Sequence, residues 1–249
     1  MFGNFPHPMY RFRTNGNWRY PGLMRALPGK ASRQPPGLEP LGREAAERDQ
    51  RRRILLAVAE QVAEQGYQET TIEQVVRRAK VGYRTFYKHF PDKEAAFLAL
   101  LDAAYERGAA RVEDAYAREE GPWPDRIGAA LGALFAEVAA NPEVARVCLV
   151  EANAAGPEAA QRHEAALKRL APLIAPGREL NPNGAKLPQS LEETLAGGIA
   201  WVLGQRLMAG EAGRIRALLP ETVEFVLRQF VGEDEAARGA GGVADALSA

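Results

Sequence analysis

Residues 70–94 read TTIEQVVRRAKVGYRTFYKHFPDKE. Two short amphipathic segments flank a tight break at Lys80-Val81-Gly82. In the first, Ile72, Val75, Val76 and Ala79 fall on one helical face. Its start carries a capping-box pattern, either Thr70 with Glu73 or Thr71 with Gln74. In the second, Val81, Phe86 and Phe90 form an inner face, which leaves Tyr83, Arg84, Tyr87 and Lys88 pointing outward. Pro91 stops this segment and Asp92 can cap the next. A short turn that locks two helices at a fixed angle, with the second exposing aromatic edges, hydroxyls and cations, is the arrangement of a helix-turn-helix. Such a unit lays its second helix in the major groove of DNA.

The outward residues suit distinct contacts. The Arg84 fork matches guanine O6 and N7. Tyr83 and Thr85 offer hydroxyls or reach a thymine methyl group. Tyr87, His89 and Lys93 suit phosphate oxygens, which fix docking without reading sequence. The helix start at Thr70-Thr71 suits another phosphate. The competing reading is an ordinary surface helix, with Tyr83 against Tyr87 for stability and Arg84 and Lys88 as solvated charges.

Composition supports a nucleic-acid partner despite a formal net charge of zero. Residues 1–42 carry +5, residues 43–93 carry +3 and residues 94–249 carry −8. Positive charge lies where the DNA reading does, and phosphate would repel the acidic remainder. Residues 1–42 are rich in Pro and Gly and read as a disordered basic extension. It is either inert, an artefact of a start upstream of Met9 or Met24, or an arm that wraps DNA.

The rest reads as helix, punctuated by Pro and Gly. Ile54, Val58 and Val62 mark a helix from near Arg43 to Gln65, which Gly66 closes. Further helices are expected from Asp92 to about Val112 and from Trp123 to Asn141. Others should start at Pro142 and Pro157, run from Pro188 to Ala209, and run from Ile215 to Val231. Residues 175–187 read as a loop and residues 233–249 as a disordered tail. No strand is apparent. The fold class is therefore all-α, with a helix-turn-helix domain at 43–91 and a second domain at 92–232.

The constellation Gly66-Tyr67, Thr70-Thr71-Ile72, Ala79, Val81, Thr85-Phe86-Tyr87, His89-Phe90 and Lys93-Glu94 resembles the DNA-binding signature of the TetR/AcrR family of bacterial transcriptional regulators. The resemblance implies three helices for DNA and about six for ligand binding and dimerisation. It implies a homodimer on a near-palindromic operator, acting as a repressor that a small molecule releases. By position it gives base-facing roles to Gly82, Tyr83, Arg84 and Tyr87, and phosphate contacts to Thr71, Tyr87, His89 and Lys93. Family members often carry Ser where this chain has Gly82, so a capping hydroxyl is missing here.

In the second domain, the apolar stripes of residues 188–231 are candidates for a dimer interface: Leu195, Ile199, Val202, Leu203, Leu207, Val223, Val226, Leu227 and Phe230. Candidate walls of a ligand pocket are Phe97, Leu101, Tyr105, Leu131, Phe135, Val147, Cys148, Glu151, His163 and Trp201. Glu151 and His163 stand out, because a buried polar group needs a partner that a ligand can supply. Nothing points to an enzyme: there is no triad, no phosphate loop, one cysteine and three scattered histidines. No cofactor, no metal and no membrane partner are expected, and the protein is expected in the cytoplasm. An architectural DNA binder without a ligand and a ligand-dependent activator are the alternatives.

Overall fold

The computed structural model describes residues 40–248, and among them the chain is all-α, without a strand. Helix α1 spans Pro40–Gln65, α2 Ile72–Ala79, α3 Tyr83–His89 and α4 Lys93–Arg118. The proposed extension at 1–42 lies outside the described residues, except that α1 already begins at Pro40.

Helix α1 buries Ile54, Ala57, Val58 and Val62 along one face. It ends at Gly66, whose φ of +88° places it in the left-handed region; its N–H donates to the Val62 carbonyl at 2.8 Å. A side chain there would be strained, which explains the glycine. Thr71 caps α2 in a complete capping box. Gln74 N–H donates to Thr71 Oγ1 at 3.3 Å, and Thr71 N–H donates to Gln74 Oε1 at 2.8 Å. The turn after α2 is made by Lys80, left-handed at φ +54°. Arg53 of α1 fixes that turn from outside, donating to the Ala79 carbonyl at 2.9 Å and the Lys80 carbonyl at 3.2 Å. Helix α3 has only seven residues and is anchored by Phe86, which is fully buried. Asp92 Oδ1 caps α4 by accepting from Ala95 N–H at 2.7 Å.

The expected boundary at residues 91–92 does not divide the core. Phe86 and Phe90 share one apolar cluster with Ala96, Phe97, Leu98, Leu100 and Leu101 of α4. The same cluster takes in Val147, Cys148, Ala152 and Ala159 from further along the chain. Helix α4 also runs six residues beyond the expected Val112.

The second core gathers around α5, Trp123–Ala140. After it come α6, Pro142–Arg146, a π-helical turn, Val147–Glu151, and the short α7, Ala152–Ala154. Helices α8, Pro157–Lys168, and α9, Ala171–Ile174, follow. The expected loop at 175–187 is largely wound into two 3-10 segments, Ala175–Leu180 and Gly184–Lys186. Arg178 holds it: its guanidinium pairs with Glu192 and donates to the carbonyls of Gly184, Leu187 and Pro188. Helix α10 spans Leu191–Met208, a 3-10 segment covers Ala212–Leu218, and α11 spans Leu219–Arg228.

Residues 233–248 overturn the expectation of a disordered tail. They form α12, Glu233–Ser248, packed on α5 and α11. Ala236 and Ala240 are buried and Val243 packs beside them, an i, i+4, i+7 stripe. Gly239 permits the contact, since a Cβ there would lie 2.5 Å from Leu227 Cδ1. The Gly-Ala richness that suggests fraying is what lets the helix lie close.

The expected dimer stripes are likewise placed otherwise. Leu195, Ile199, Leu203, Leu207, Val223, Val226, Leu227 and Phe230 are buried inside this one chain, and Val202 is half-buried. The large apolar side chains that remain exposed on α10 and α11 are Trp201, Met208 and Phe225.

Truncating Phe86 removes the plug that seats α3. Phe86→Ala is expected to destabilise the fold by about 3–5 kcal/mol, read as a shift in the urea unfolding midpoint.

Candidate functional site

Helix α3 presents two faces. Phe86 points inward, while Tyr83 is 49% and Tyr87 54% exposed. Gly82 and Arg84 are exposed and Thr85 is half-buried. Among the described residues no carboxylate pairs with Arg84. Lys88 is exposed too, with its ammonium 2.6 Å from Glu47 Oε1 of α1. Tyr83, Arg84, Tyr87 and Lys88 thus form one outward surface on a short helix, as their spacing requires.

Other predicted contacts face elsewhere. Thr70 is only 1% exposed, and its hydroxyl donates to the Gly66 carbonyl at 2.8 Å; it braces the α1–α2 loop and cannot meet a phosphate. Lys93 is turned inward. Its ammonium donates to the carbonyls of Tyr67 at 2.9 Å and Gln68 at 3.3 Å and sits 4.3 Å from the Tyr67 ring centre. Burial lowers its pKa from the ordinary lysine value, with Glu69 acting against this. His89 Nε2 lies 3.3 Å from Gln50 Oε1 of α1. Burial, helped by the Lys88 charge, lowers its pKa and favours the neutral ring. Thr71 does stay exposed at the start of α2.

A cavity of about 600 Å³ lies among α4, α5, α6 and α8. Of the predicted walls, Tyr105, Cys148 and His163 line it. Their polar atoms already engage one another. The Tyr105 hydroxyl donates to the Cys148 carbonyl at 2.8 Å and lies 3.1 Å from His163 Nδ1. Burial lowers the His163 pKa, partly offset by the Cys148 carbonyl, and raises that of Tyr105. Burial also pushes the Cys148 thiol up to about 12, which keeps it in the neutral thiol form.

The remaining predicted walls lie elsewhere. Phe97, Leu101 and Val147 belong to the core beneath α3, and Leu131 and Phe135 to the core around α5. Trp201 is 66% exposed on the outer side of α10. Glu151 is a link to the helix-turn-helix: its Oε2 accepts from Tyr67 N–H at 3.2 Å and lies 3.5 Å from where a Gly66 Cβ would stand.

Leu134, Glu137, Val138 and Asn141 of the α5 region line the cavity instead, together with Arg107. Their i, i+3, i+4, i+7 spacing is present in the sequence, but α5 is apolar on more than one side, so periodicity alone does not single out this face. Glu137 is buried between two arginines. Arg107 Nη2 is 2.7 Å from its Oε1; Arg111 Nη1 is 2.8 Å from Oε2, an ionic contact off the line of a hydrogen bond. Asn141 Nδ2 donates to Glu137 Oε1 at 3.0 Å, which leaves the buried Asn141 Oδ1 without a donor among the described residues.

Residues 54–100, which run from α1 into α4, match the sequence family of bacterial regulatory proteins, tetR family. An uncharacterised HTH-type transcriptional regulator of Bacillus subtilis, YuxN, is 28% identical over 60 residues, which is 24% of this chain and 21% of that protein. The match therefore spans about a fifth of the relative's length. The fatty acid degradation regulator FadR of Bacillus halodurans superposes with a TM-score of 0.62 at 21% identity, over 71% of this chain and 97% of that one. FadR of Bacillus subtilis in complex with stearoyl-CoA superposes at 0.59 and 18% identity, over 71% and 97%. The fold is that of an all-α helix-turn-helix regulator. Residues 54–100 thus carry the DNA-binding region of the tetR family, on a chain whose described residues share the fold of these regulators.

Gly82 caps α3 with ordinary extended backbone, φ −84° and ψ 162°, and nothing lies within 4 Å of a Cβ built there. Gly82→Ser should therefore be accepted without strain. It should raise unfolding stability by a few tenths of a kcal/mol, roughly the difference between Gly and Ser caps, measured by urea melts.

Proposed function

We propose that the protein is a dimeric repressor that grips operator DNA with α3 and releases it when a small apolar ligand enters the central cavity. The observation that carries this reading is the outward surface of Tyr83, Arg84 and Tyr87 on a helix that Phe86 pins to the core. Arg84 reads a base, Tyr83 and Tyr87 supply edges and hydroxyls, and Thr71 at the α2 start holds a backbone phosphate. Thr85 and Lys88 flank this surface, and the neutral His89 supports it from behind. Gly82 contributes only close approach of backbone.

The cavity favours a ligand-controlled protein over a purely architectural one. Its lining is mainly apolar, which suits an apolar ligand, and a FadR relative of the same fold was solved with stearoyl-CoA. The cavity is also wired to the DNA unit. Tyr105, with His163 Nδ1 beside its hydroxyl, holds the Cys148 carbonyl on the π turn, and three residues later Glu151 holds the Tyr67 amide. A ligand that displaces the Tyr105 hydroxyl shifts that turn and, with α4, the seat of α3. It does so only through unequal affinity for the two states.

Two half-sites one DNA turn apart, about 34–36 Å, need two copies of α3 held at that spacing. The exposed Trp201, Met208 and Phe225 on α10 and α11 are the surface a second copy would cover. Trp201→Glu is expected to convert dimer to monomer in sedimentation velocity while leaving helical content unchanged. An unchanged dimer would place the interface elsewhere.

Selection of sites from random DNA with purified protein tests the reading as a whole; a two-fold symmetric site is expected, and no enrichment would end it. Arg84→Ala should then cost about 1–3 kcal/mol and relax preference at one base pair per half-site. Equal weakening on all sequences would assign Arg84 to phosphate instead.

A further inference from the structure

A second cleft, of about 350 Å³, opens between α1 and α4. Its floor is apolar, with Leu55, Leu56 and Leu100, but its rim carries Arg48, Arg51, Arg52 and Arg107 and no carboxylate. Compensation nearby is incomplete. Arg52 shares Asp49 with Arg53, and Arg107 shares Glu137 with Arg111. Among the described residues, Arg48 and Arg51 have no ion pair at all: Arg48 donates to the Glu44 carbonyl of its own helix, and Arg51 lies over the Phe90 ring at 5.1 Å. Four guanidinium groups around one cleft repel each other and focus positive potential into it, and a multiply charged anion relieves that repulsion. Guanidinium forks match phosphate oxygens in pairs.

This cleft is not isolated from the central cavity. Ala104, Arg107 and Val144 line both, so the Arg107 guanidinium stands at the junction between an apolar chamber and a cationic one. We propose that the α1–α4 cleft binds the phosphate head of an amphiphile whose acyl chain fills the central cavity. The ligand class is then an acyl chain joined to a phosphorylated head. The head would bridge α1 of the DNA unit to α4. It would also draw Arg51 from Phe90, the residue that follows α3. The proposal rests on the reading of the central cavity as a site for an apolar ligand.

The test uses the full-length protein and three probes of equal chain length: palmitate, palmitoyl-CoA and 1-palmitoyl-lysophosphatidate, titrated by calorimetry. At least one phosphorylated probe should bind about tenfold or more tighter than palmitate, with an advantage that shrinks as NaCl rises. Which of the two gains identifies whether the head is a nucleotide carrier or a lipid. The double variant Arg48→Gln/Arg51→Gln, checked by thermal melting, should bring the phosphorylated probe down to the affinity of palmitate and leave palmitate itself unchanged. Equal affinity for all probes, or equal loss for all in the variant, would overturn the head-group site and leave the cavity reading standing. If none of the three binds, both readings fail. A variant that weakens operator binding but not the phosphorylated probe assigns these arginines to DNA and overturns the proposal.

Discussion

Seven residues of helix do not hold themselves together in water, where isolated helices are marginal below about 12–15 residues. Helix α3 exists because Phe86 is locked into a core supplied by α1, α2 and α4. Every outward property of the helix follows from that inward one. With Phe86 fixed, the 3.6-residue period sends Arg84 to the far side, about 160° away, and leaves Tyr83 and Tyr87 on the exposed flanks. The turn that feeds α3 is fixed as firmly, by a left-handed Lys80 and by Arg53 reaching from α1 to its carbonyls.

That same core does not respect the division between a DNA unit and a regulatory unit. Phe97 and Leu101 on α4, and Val147, Cys148 and Ala152 around the π turn, pack into it alongside Phe86. Polar contacts run the same way, through Lys93 to the Tyr67 and Gln68 carbonyls and through Glu151 to the Tyr67 amide. The α1–α2 loop is thus tied by separate side chains to α4 and to the π turn. The central helices and α3 are therefore joined by packed side chains of one core.

The helix-turn-helix was legible because its signals are local. The faces of α3, the cap at Thr71 and the stop at Pro91 all lie within a few residues of what they control. Misreadings arose where partners are far apart in sequence. Lys93 looks like a free cation until its arm is seen folded back on a carbonyl 26 residues earlier. Thr70 and Thr71 are equal candidates for a cap until one is buried. Helix α10 carries apolar residues on almost every side, so no periodicity said that Leu203 faces in and Trp201 out. In α5 the same excess hid the cavity face at Leu134 and Val138 behind the core face at Leu131 and Phe135. Helix α12 was missed because glycine reads as a breaker, whereas tertiary contact with Leu227 makes it a spacer.

The π turn at Val147–Glu151 has a mechanical side. A π turn accommodates a surplus residue relative to ordinary winding, and here one of its carbonyls, that of Cys148, accepts a phenol from outside the helix. Slack of this kind can be handed along a helix. If the turn rewound, everything after it would advance by about 1.5 Å and swivel by roughly 100° per residue passed. Such a swivel would carry the Glu151 carboxylate off the Tyr67 amide altogether, so that contact belongs to the π-wound form of the segment.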